Sequence, residues 1–142
     1  MAKAVVLYRI ASVLFILYAV GHTFGFLKFQ PPSAEGRAVW ESMNNVHFQL
    51  GQTEATYGKL YVSFGLFISL YVLFAAYLAW YLGGLARNTP QAIGPLGWVF
   101  FAVQLGALAL SAICFLPPPA ILTGLAAICV GWASWLVSTA RP

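Results

Sequence analysis

Residues 60–82 read LYVSFGLFISLYVLFAAYLAWYL, an apolar stretch without a charged side chain. As an α-helix it would be about 35 Å long, which matches the hydrocarbon core of a membrane. Three further apolar runs of similar length occupy residues 10–27, 96–116 and 120–138. The pattern predicts an all-α fold, a four-helix transmembrane bundle that forms a single membrane domain over residues 1–142. The expected spans are approximately residues 8–28, 57–82, 95–116 and 119–138.

The composition supports the same class. The chain is 61% hydrophobic and 7% charged, whereas a soluble domain carries about 25% charged residues. Its net charge of +4 comes from single Lys and Arg residues at the ends of the apolar runs, which is typical of topology signals and not of a nucleic-acid-binding surface. Cys114 and Cys129 both fall inside apolar runs, at depths that differ by about 10 Å, too far apart for a disulfide bond.

The positive side chains predict the orientation. Three of the seven Lys and Arg residues lie in or next to the connection between the first two spans, close in sequence to all three acidic residues. The other four fall on the opposite side of the membrane, and these are Lys3, Arg9, Arg87 and Arg141. Because the side that is richer in Lys and Arg is usually cytoplasmic, we expect both termini in the cytoplasm and the first connection outside.

The first connection contains a helix of a different kind. Residues 31–33, Pro-Pro-Ser, end the first span, and Ser33 can cap a helix that begins near Ala34. Apolar and polar residues then separate onto two faces, which predicts an interfacial amphipathic helix at approximately residues 34–50. We expect Gly51 to end this helix and Thr53 to cap the next one. The expected apolar face comprises Val39, Trp40, Met43, Val46, His47 and Leu50, and the face toward water comprises Arg37, Glu41, Asn44 and Asn45.

Small residues recur four positions apart within the spans. They are Gly21 and Gly25, Gly65 and Ser69, Ala75, Ala79 and Gly83, Ala102 and Gly106, and Ala127 and Gly131. This spacing lets helix backbones approach closely, and we interpret it as packing inside one bundle, with an oligomer interface as the alternative. Gln104, near the middle of the third span, predicts a hydrogen bond between helices, with a ligand contact as the alternative.

Both histidines and all three acidic residues lie between residues 22 and 54, which makes this segment the candidate functional region. The candidate catalytic residues are His22, His47 and Glu54. The candidate ligand-binding residues are Tyr18, His22, Asn44, His47, Gln52, Tyr57 and Gln104. Since His22 lies about 8 to 9 Å inside the outer end of the first span, and His47 on the apolar face of the interfacial helix, we expect the two imidazoles to approach one another. Glu54 would complete a polar patch at the outer mouth.

Four interpretations of the two histidines stay open. They could bind a haem or another pigment, or hold a zinc ion together with Glu54, although we assign no metal site. They could carry protons in acid–base chemistry on a membrane-soluble substrate. In the fourth interpretation, both histidines only hydrogen-bond the first connection onto the bundle. The sequence contains no Walker loop and no G-x-S-x-G, H-E-x-x-H or C-x-x-C motif.

The first half of the chain carries a recognisable set of short segments. They are GHTFGF at residues 21–26, then Met43, Phe48 and Gly51, and YGKLYVSFGL at residues 57–66. This set resembles a family of small, uncharacterised bacterial four-span membrane proteins, and loosely the DoxX-like proteins, with an arginine that opens the first span and a glycine-rich end to it. The resemblance implies a four-helix protein of a bacterial membrane and implies no particular activity. The membrane-bound glutathione transferases have a similar size, but their signature is missing, because Asn44 and Asn45 lack neighbouring arginines.

The sequence thus predicts a small polytopic protein of the bacterial inner membrane. We expect it to bind a lipophilic ligand or to serve as an accessory subunit of a larger membrane complex, with the His and Glu patch at its extracytoplasmic mouth. The alternative is a membrane enzyme that acts by acid–base chemistry on a lipid-like or quinone-like substrate. The expected partners are membrane lipid and either further copies of the chain or a larger complex, without nucleic acid.

Overall fold

The computed structural model describes residues 1–114 and 117–140 and confirms the all-α, four-helix membrane fold. Four of its helices are long and apolar enough to cross a membrane. Between the first two of these lie a shorter helix and a pair of strands. In chain order the elements are α1 (Ala2–Leu27), α2 (Ala34–Asn45), β1 (His47–Leu50), β2 (Thr53–Thr56), α3 (Tyr57–Asn88), a 3-10 turn (Pro90–Ile93), α4 (Leu96–Cys114) and α5 (Pro117–Thr139).

Two helix ends differ from the expected spans for identifiable reasons. Helix α3 continues to Asn88 instead of ending near Leu82, because Gly83 and Gly84 only weaken a helix, whereas Pro90 ends it, and because Arg87 stabilises the negative end of the helix dipole. Helix α5 begins at Pro117, so the prolines form its first turn, where a missing N–H costs nothing. Residues 115 and 116, at the expected end of the third span, lie outside the described residues.

The chain divides into two compact units. Unit 1 comprises Met1–Ala19 and the described residues of Tyr71–Pro142, and unit 2 comprises Val20–Leu70. Unit 1 therefore contains parts of all four long helices. Unit 2 contains the end of α1, the beginning of α3, helix α2 and the two strands.

Small side chains and interhelical hydrogen bonds hold unit 1 together. Three of these bonds join Tyr8 Oη with Ser134 Oγ (3.0 Å), Ser12 Oγ with the Ala76 carbonyl (2.8 Å), and Gln104 Nε2 with Tyr71 Oη (3.2 Å). The last of these is the interhelical bond expected of Gln104, whose side chain is 1% exposed. Inside a membrane such a bond contributes on average about 0.6 kcal/mol. Close packing of many buried alanine side chains supplies the remaining contact between the helices of unit 1.

Helices α4 and α5 are antiparallel neighbours, with the start of α4 beside the end of α5. A Cβ atom added at Gly97 would lie 2.7 Å from Ser134 Oγ, and one added at Gly131 would lie 2.7 Å from Phe101 Cε2. The small residue at position 131 is thus used for packing inside unit 1. By contrast, Gly21, Gly25 and Gly106 have nothing within 4 Å of an added Cβ among the described residues.

In unit 2, helix α2 begins as predicted and ends early. The Ser33 hydroxyl accepts a hydrogen bond from the Gly36 N–H at 3.0 Å and so caps the helix. The helix ends at Asn45 and not at Leu50, which corrects the expected boundary. The next residues, His-Phe-Gln-Leu, alternate polar and apolar side chains with the period of a strand.

The two strands form an antiparallel hairpin in which His47 pairs with Thr56 and Leu50 with Thr53. Gly51, at φ 65°, occupies the first position of the two-residue turn, where a positive φ favours glycine. Gly51 is therefore a turn residue instead of a helix end, and Thr53 belongs to a strand instead of capping α3. The N-terminus of α3 is capped by Thr56, whose Oγ1 accepts a hydrogen bond from the Lys59 N–H at 3.2 Å.

Candidate functional site

His22 lies on α1 in unit 2 and bonds to the backbone of α3. Its Nε2 lies 3.1 Å from the Gly65 carbonyl oxygen. Because a carbonyl oxygen can only accept, Nε2 carries the proton of this bond. The half-buried ring also stacks on Phe26, with 5.6 Å between the ring centroids. The bond and the stack together orient the imidazole.

A second polar contact joins the same two helices. Thr23 Oγ1 donates to Ser69 Oγ at 2.8 Å, and Ser69 Oγ in turn lies 3.5 Å from the Gly65 carbonyl oxygen. His22, Thr23, Gly65 and Ser69 therefore form one continuous group, which we call the polar seam. Sequence reasoning identified only its histidine as a functional residue. Gly65 and Ser69 form one of the pairs of small residues that indicate helix packing, and Thr23 carries no such signal.

An aromatic group packs against the polar seam. The rings of Phe26 and Tyr61 lie 5.1 Å apart, and Trp40 meets Tyr61 edge-on at 5.7 Å. Gly65 permits this packing, because a Cβ at that position would overlap the Phe26 ring. Trp40 is partly buried as expected for the apolar face of α2, and the polar residues Arg37, Glu41 and Asn44 are exposed as expected.

His47 occupies a different environment from the one expected. It is exposed on β1, and its Nδ1 lies 2.9 Å from the Asn45 carbonyl oxygen. Because β1 replaces the last turns of the expected helix, His47 does not lie on a helical apolar face, and that prediction was wrong. The hydrogen bond to Gly65 ties His22 to α3, and the hydrogen bond to Asn45 ties His47 to the end of α2. The approach of the two imidazoles stays a prediction.

Three polar candidates lie at the hairpin and on α2. Glu54 is exposed on β2 opposite Gln49, and Gln52 is exposed in the turn. Asn44 Nδ2 donates to the Trp40 carbonyl at 2.8 Å, and the Asn44 side chain lies against Gly58 of α3. Asn44 thus packs α2 against the start of α3.

The aromatic and amide candidates are held by structural contacts. Tyr57 packs against Phe48, with 4.7 Å between the ring centroids. Tyr18 belongs to unit 1, where its hydroxyl is hydrogen-bonded to Ser111, and Gln104 of the same unit bonds to Tyr71. Within residues 1–114 and 117–140, no group of three or more His, Cys, Asp or Glu side chains is placed to hold a metal ion.

A groove that sequence reasoning missed runs between α4 and α5 in unit 1. It has a volume of about 500 Å³ and is lined only by apolar side chains and glycine. Three of the lining residues are tryptophans, and these are Trp98, Trp132 and Trp135. Small residues of α5, Gly124 and Ala127 among them, leave the space that the larger side chains surround. We call this feature the α4–α5 groove.

Comparison of the chain with protein-family models, with curated proteins and with solved structures found no match. The functional interpretation therefore depends on the chemistry of these residues. Two features carry it, the polar seam in unit 2 and the α4–α5 groove in unit 1.

Proposed function

We propose that the protein binds one elongated lipophilic molecule along the α4–α5 groove. The observation that carries the proposal is the lining, which offers apolar and aromatic contact along its whole length and no charged group. A volume of about 500 Å³ is within the range of small-molecule sites in proteins. From Trp98 to Leu108 the groove follows α4 for about 15 Å, so it suits an acyl or prenyl chain.

The distribution of tryptophans orients the proposed ligand. Trp98 lies in the first turn of α4, and Trp132 and Trp135 lie toward the end of α5. Because the two helices are antiparallel, the three indoles meet at one end of the groove. Indole rings favour the membrane–water interface and carry an N–H donor. The polar end of the ligand is therefore expected near the tryptophans, with its chain directed toward Leu108 and Gly124.

The hydrogen bond of His22 joins α1 to α3 in unit 2. Its Nε2 proton is engaged by the Gly65 carbonyl, and its ring is fixed by Phe26. The polar seam thus supports a structural role, in which His22 helps to join α1 to α3.

The test is to fill the α4–α5 groove and to measure what co-purifies. Leu105→Trp places a larger ring in the groove, whereas Leu110→Trp makes the same change on an exposed part of α4 outside the lining. Mass spectrometry of organic extracts should detect a stoichiometric lipophilic molecule with the wild type and with Leu110→Trp. Leu105→Trp should reduce it about tenfold, which corresponds to about 1.4 kcal/mol.

Two outcomes would contradict the proposal. One is equal retention of the molecule by the two tryptophan variants. The other is a wild-type protein that carries no stoichiometric lipophilic molecule and instead purifies with a protein partner, which would favour an accessory subunit.

A further inference from the structure

We propose that Arg9 and Trp80 form a binding site for the phosphate of an anionic phospholipid. The site lies in unit 1, shares no residue with the α4–α5 groove and does not depend on the function proposed for that groove. Three observations carry the inference. They are the stacking of the Arg9 side chain, an unsatisfied donor on it, and the distribution of acidic residues along the chain.

The Arg9 guanidinium lies flat against an aromatic ring. Its central carbon is 3.2 Å from the centroid of the Trp80 ring. Gly83, one turn further along α3, leaves room for this arrangement, because an added Cβ would lie 3.3 Å from Arg9 Nε and 3.4 Å from Tyr8 Cβ. The stacked position of Arg9 is therefore built into the packing of α1 against α3.

The stacking leaves part of the guanidinium unsatisfied. Arg9 Nη1 is buried and has no hydrogen-bond partner among the described residues. The face of an aromatic ring attracts the positive charge of the guanidinium. It does not accept hydrogen bonds from the guanidinium N–H groups, because these point outward in the plane of the guanidinium. A buried donor of this kind is costly unless it is paired. Arg9 as a whole is only partly buried, so part of its side chain lies at the protein surface, where an anion can approach it.

No acidic side chain in unit 1 can neutralise Arg9. The three acidic residues of the chain, Glu35, Glu41 and Glu54, all belong to unit 2, where they equal its three Lys and Arg in number. The whole net charge of +4 therefore falls in unit 1. A lipid phosphate would supply the counter-charge that the side chains of unit 1 lack.

The surroundings of Trp80 identify that molecule as a lipid. Trp80 is 54% exposed, and the neighbouring Tyr77 and Tyr81 are 63% and 50% exposed, which makes this face of α3 an aromatic surface suited to the lipid interface. Arg87 follows Trp80 by seven residues on the same face, about 10 Å nearer the polar end of the helix. Arginine binds phosphate through two parallel N–H bonds. An anionic phospholipid matches both features, because its apolar part suits the aromatic surface and its negative charge suits the two cations.

The experiment uses the full-length protein, delipidated in detergent, and native mass spectrometry. Phosphatidylglycerol and phosphatidylcholine with identical acyl chains are titrated separately. The wild type should bind phosphatidylglycerol at least about fivefold more tightly, which is the effect expected for one cation near an anionic headgroup. Arg9→Gln should abolish this preference. The matched control Arg37→Gln, an exposed arginine of unit 2, should retain it.

Two further variants keep the test independent of folding. Trp80→Leu changes an exposed residue, retains the Arg9 charge and should weaken the preference. Leu105→Trp, in the α4–α5 groove, should leave it unchanged, which separates this site from the groove. Excess inorganic phosphate should not displace the lipid. An unchanged preference in both Arg9→Gln and Trp80→Leu would overturn the site, and displacement by inorganic phosphate would overturn the lipid as its occupant.

Discussion

Gly65 is the residue on which the contact between α1 and α3 in unit 2 depends. Its carbonyl accepts the bond from His22, and its missing side chain leaves space for the Phe26 ring. Gly65→Ala should therefore force Phe26 to move and destabilise the protein by about 1 to 3 kcal/mol, the usual cost of overpacking. Gly21→Ala is the matched control, because nothing lies within 4 Å of its added Cβ. It should be neutral or stabilise the helix by about 0.5 to 1 kcal/mol.

Reversible unfolding in mixed micelles, followed by circular dichroism, measures both effects. Similar free energies of unfolding for Gly65→Ala and Gly21→Ala would contradict the close packing of Phe26 on Gly65. The residue scale is also where sequence reasoning was least complete. It identified His22 from its chemistry but could not identify the Gly65 carbonyl as its partner, because every residue of a helix carries the same carbonyl group.

At the scale of elements, the hairpin of β1 and β2 is the feature that differs most from expectation. Val46, His47 and Leu50 satisfy a helical apolar spacing, and the segment that contains them satisfies strand alternation as well. Pairing with Thr53–Thr56 across a tight turn decides between the two. The periodicity of one segment carries no information about a partner strand. The sequence therefore predicts a helix that ends at Leu50, five residues beyond the observed end of α2 at Asn45.

The turn glycine provides a test of the hairpin. Gly51 has φ 65°, a conformation that costs a non-glycine residue about 1 to 2 kcal/mol. Gly51→Val should therefore loosen the strands and increase amide hydrogen exchange across residues 47–56. Gly51→Asn should have a much smaller effect, since asparagine adopts this conformation more readily. Equal exchange in the wild type and Gly51→Val would instead favour a helix that continues through this segment.

At the scale of the whole molecule, the orientation follows from Lys3, Arg9, Arg87 and Arg141. We predict that the first connection faces the extracytoplasmic side and that the connection between α3 and α4 faces the cytoplasm. In a protein with Cys114 and Cys129 replaced by alanine, Ser33→Cys should react with a membrane-impermeant thiol reagent in intact cells. Thr89→Cys should react only after the cells are opened. Labelling in the reverse pattern would place the polar seam and hairpin toward the cytoplasm.

The sequence alone determined the four membrane-spanning helices, the cap of α2 at Ser33 and the interhelical role of Gln104. Each of these depends on local properties, namely the length of an apolar run, a capping side chain, or one amide in an apolar span. The tertiary structure decided the hairpin, the polar seam and the α4–α5 groove. In a membrane helix, the side chains that face lipid are as apolar as those that face a neighbouring helix. The sequence therefore does not reveal which faces of α4 and α5 meet, and only their packing brings three tryptophans to one end of a groove.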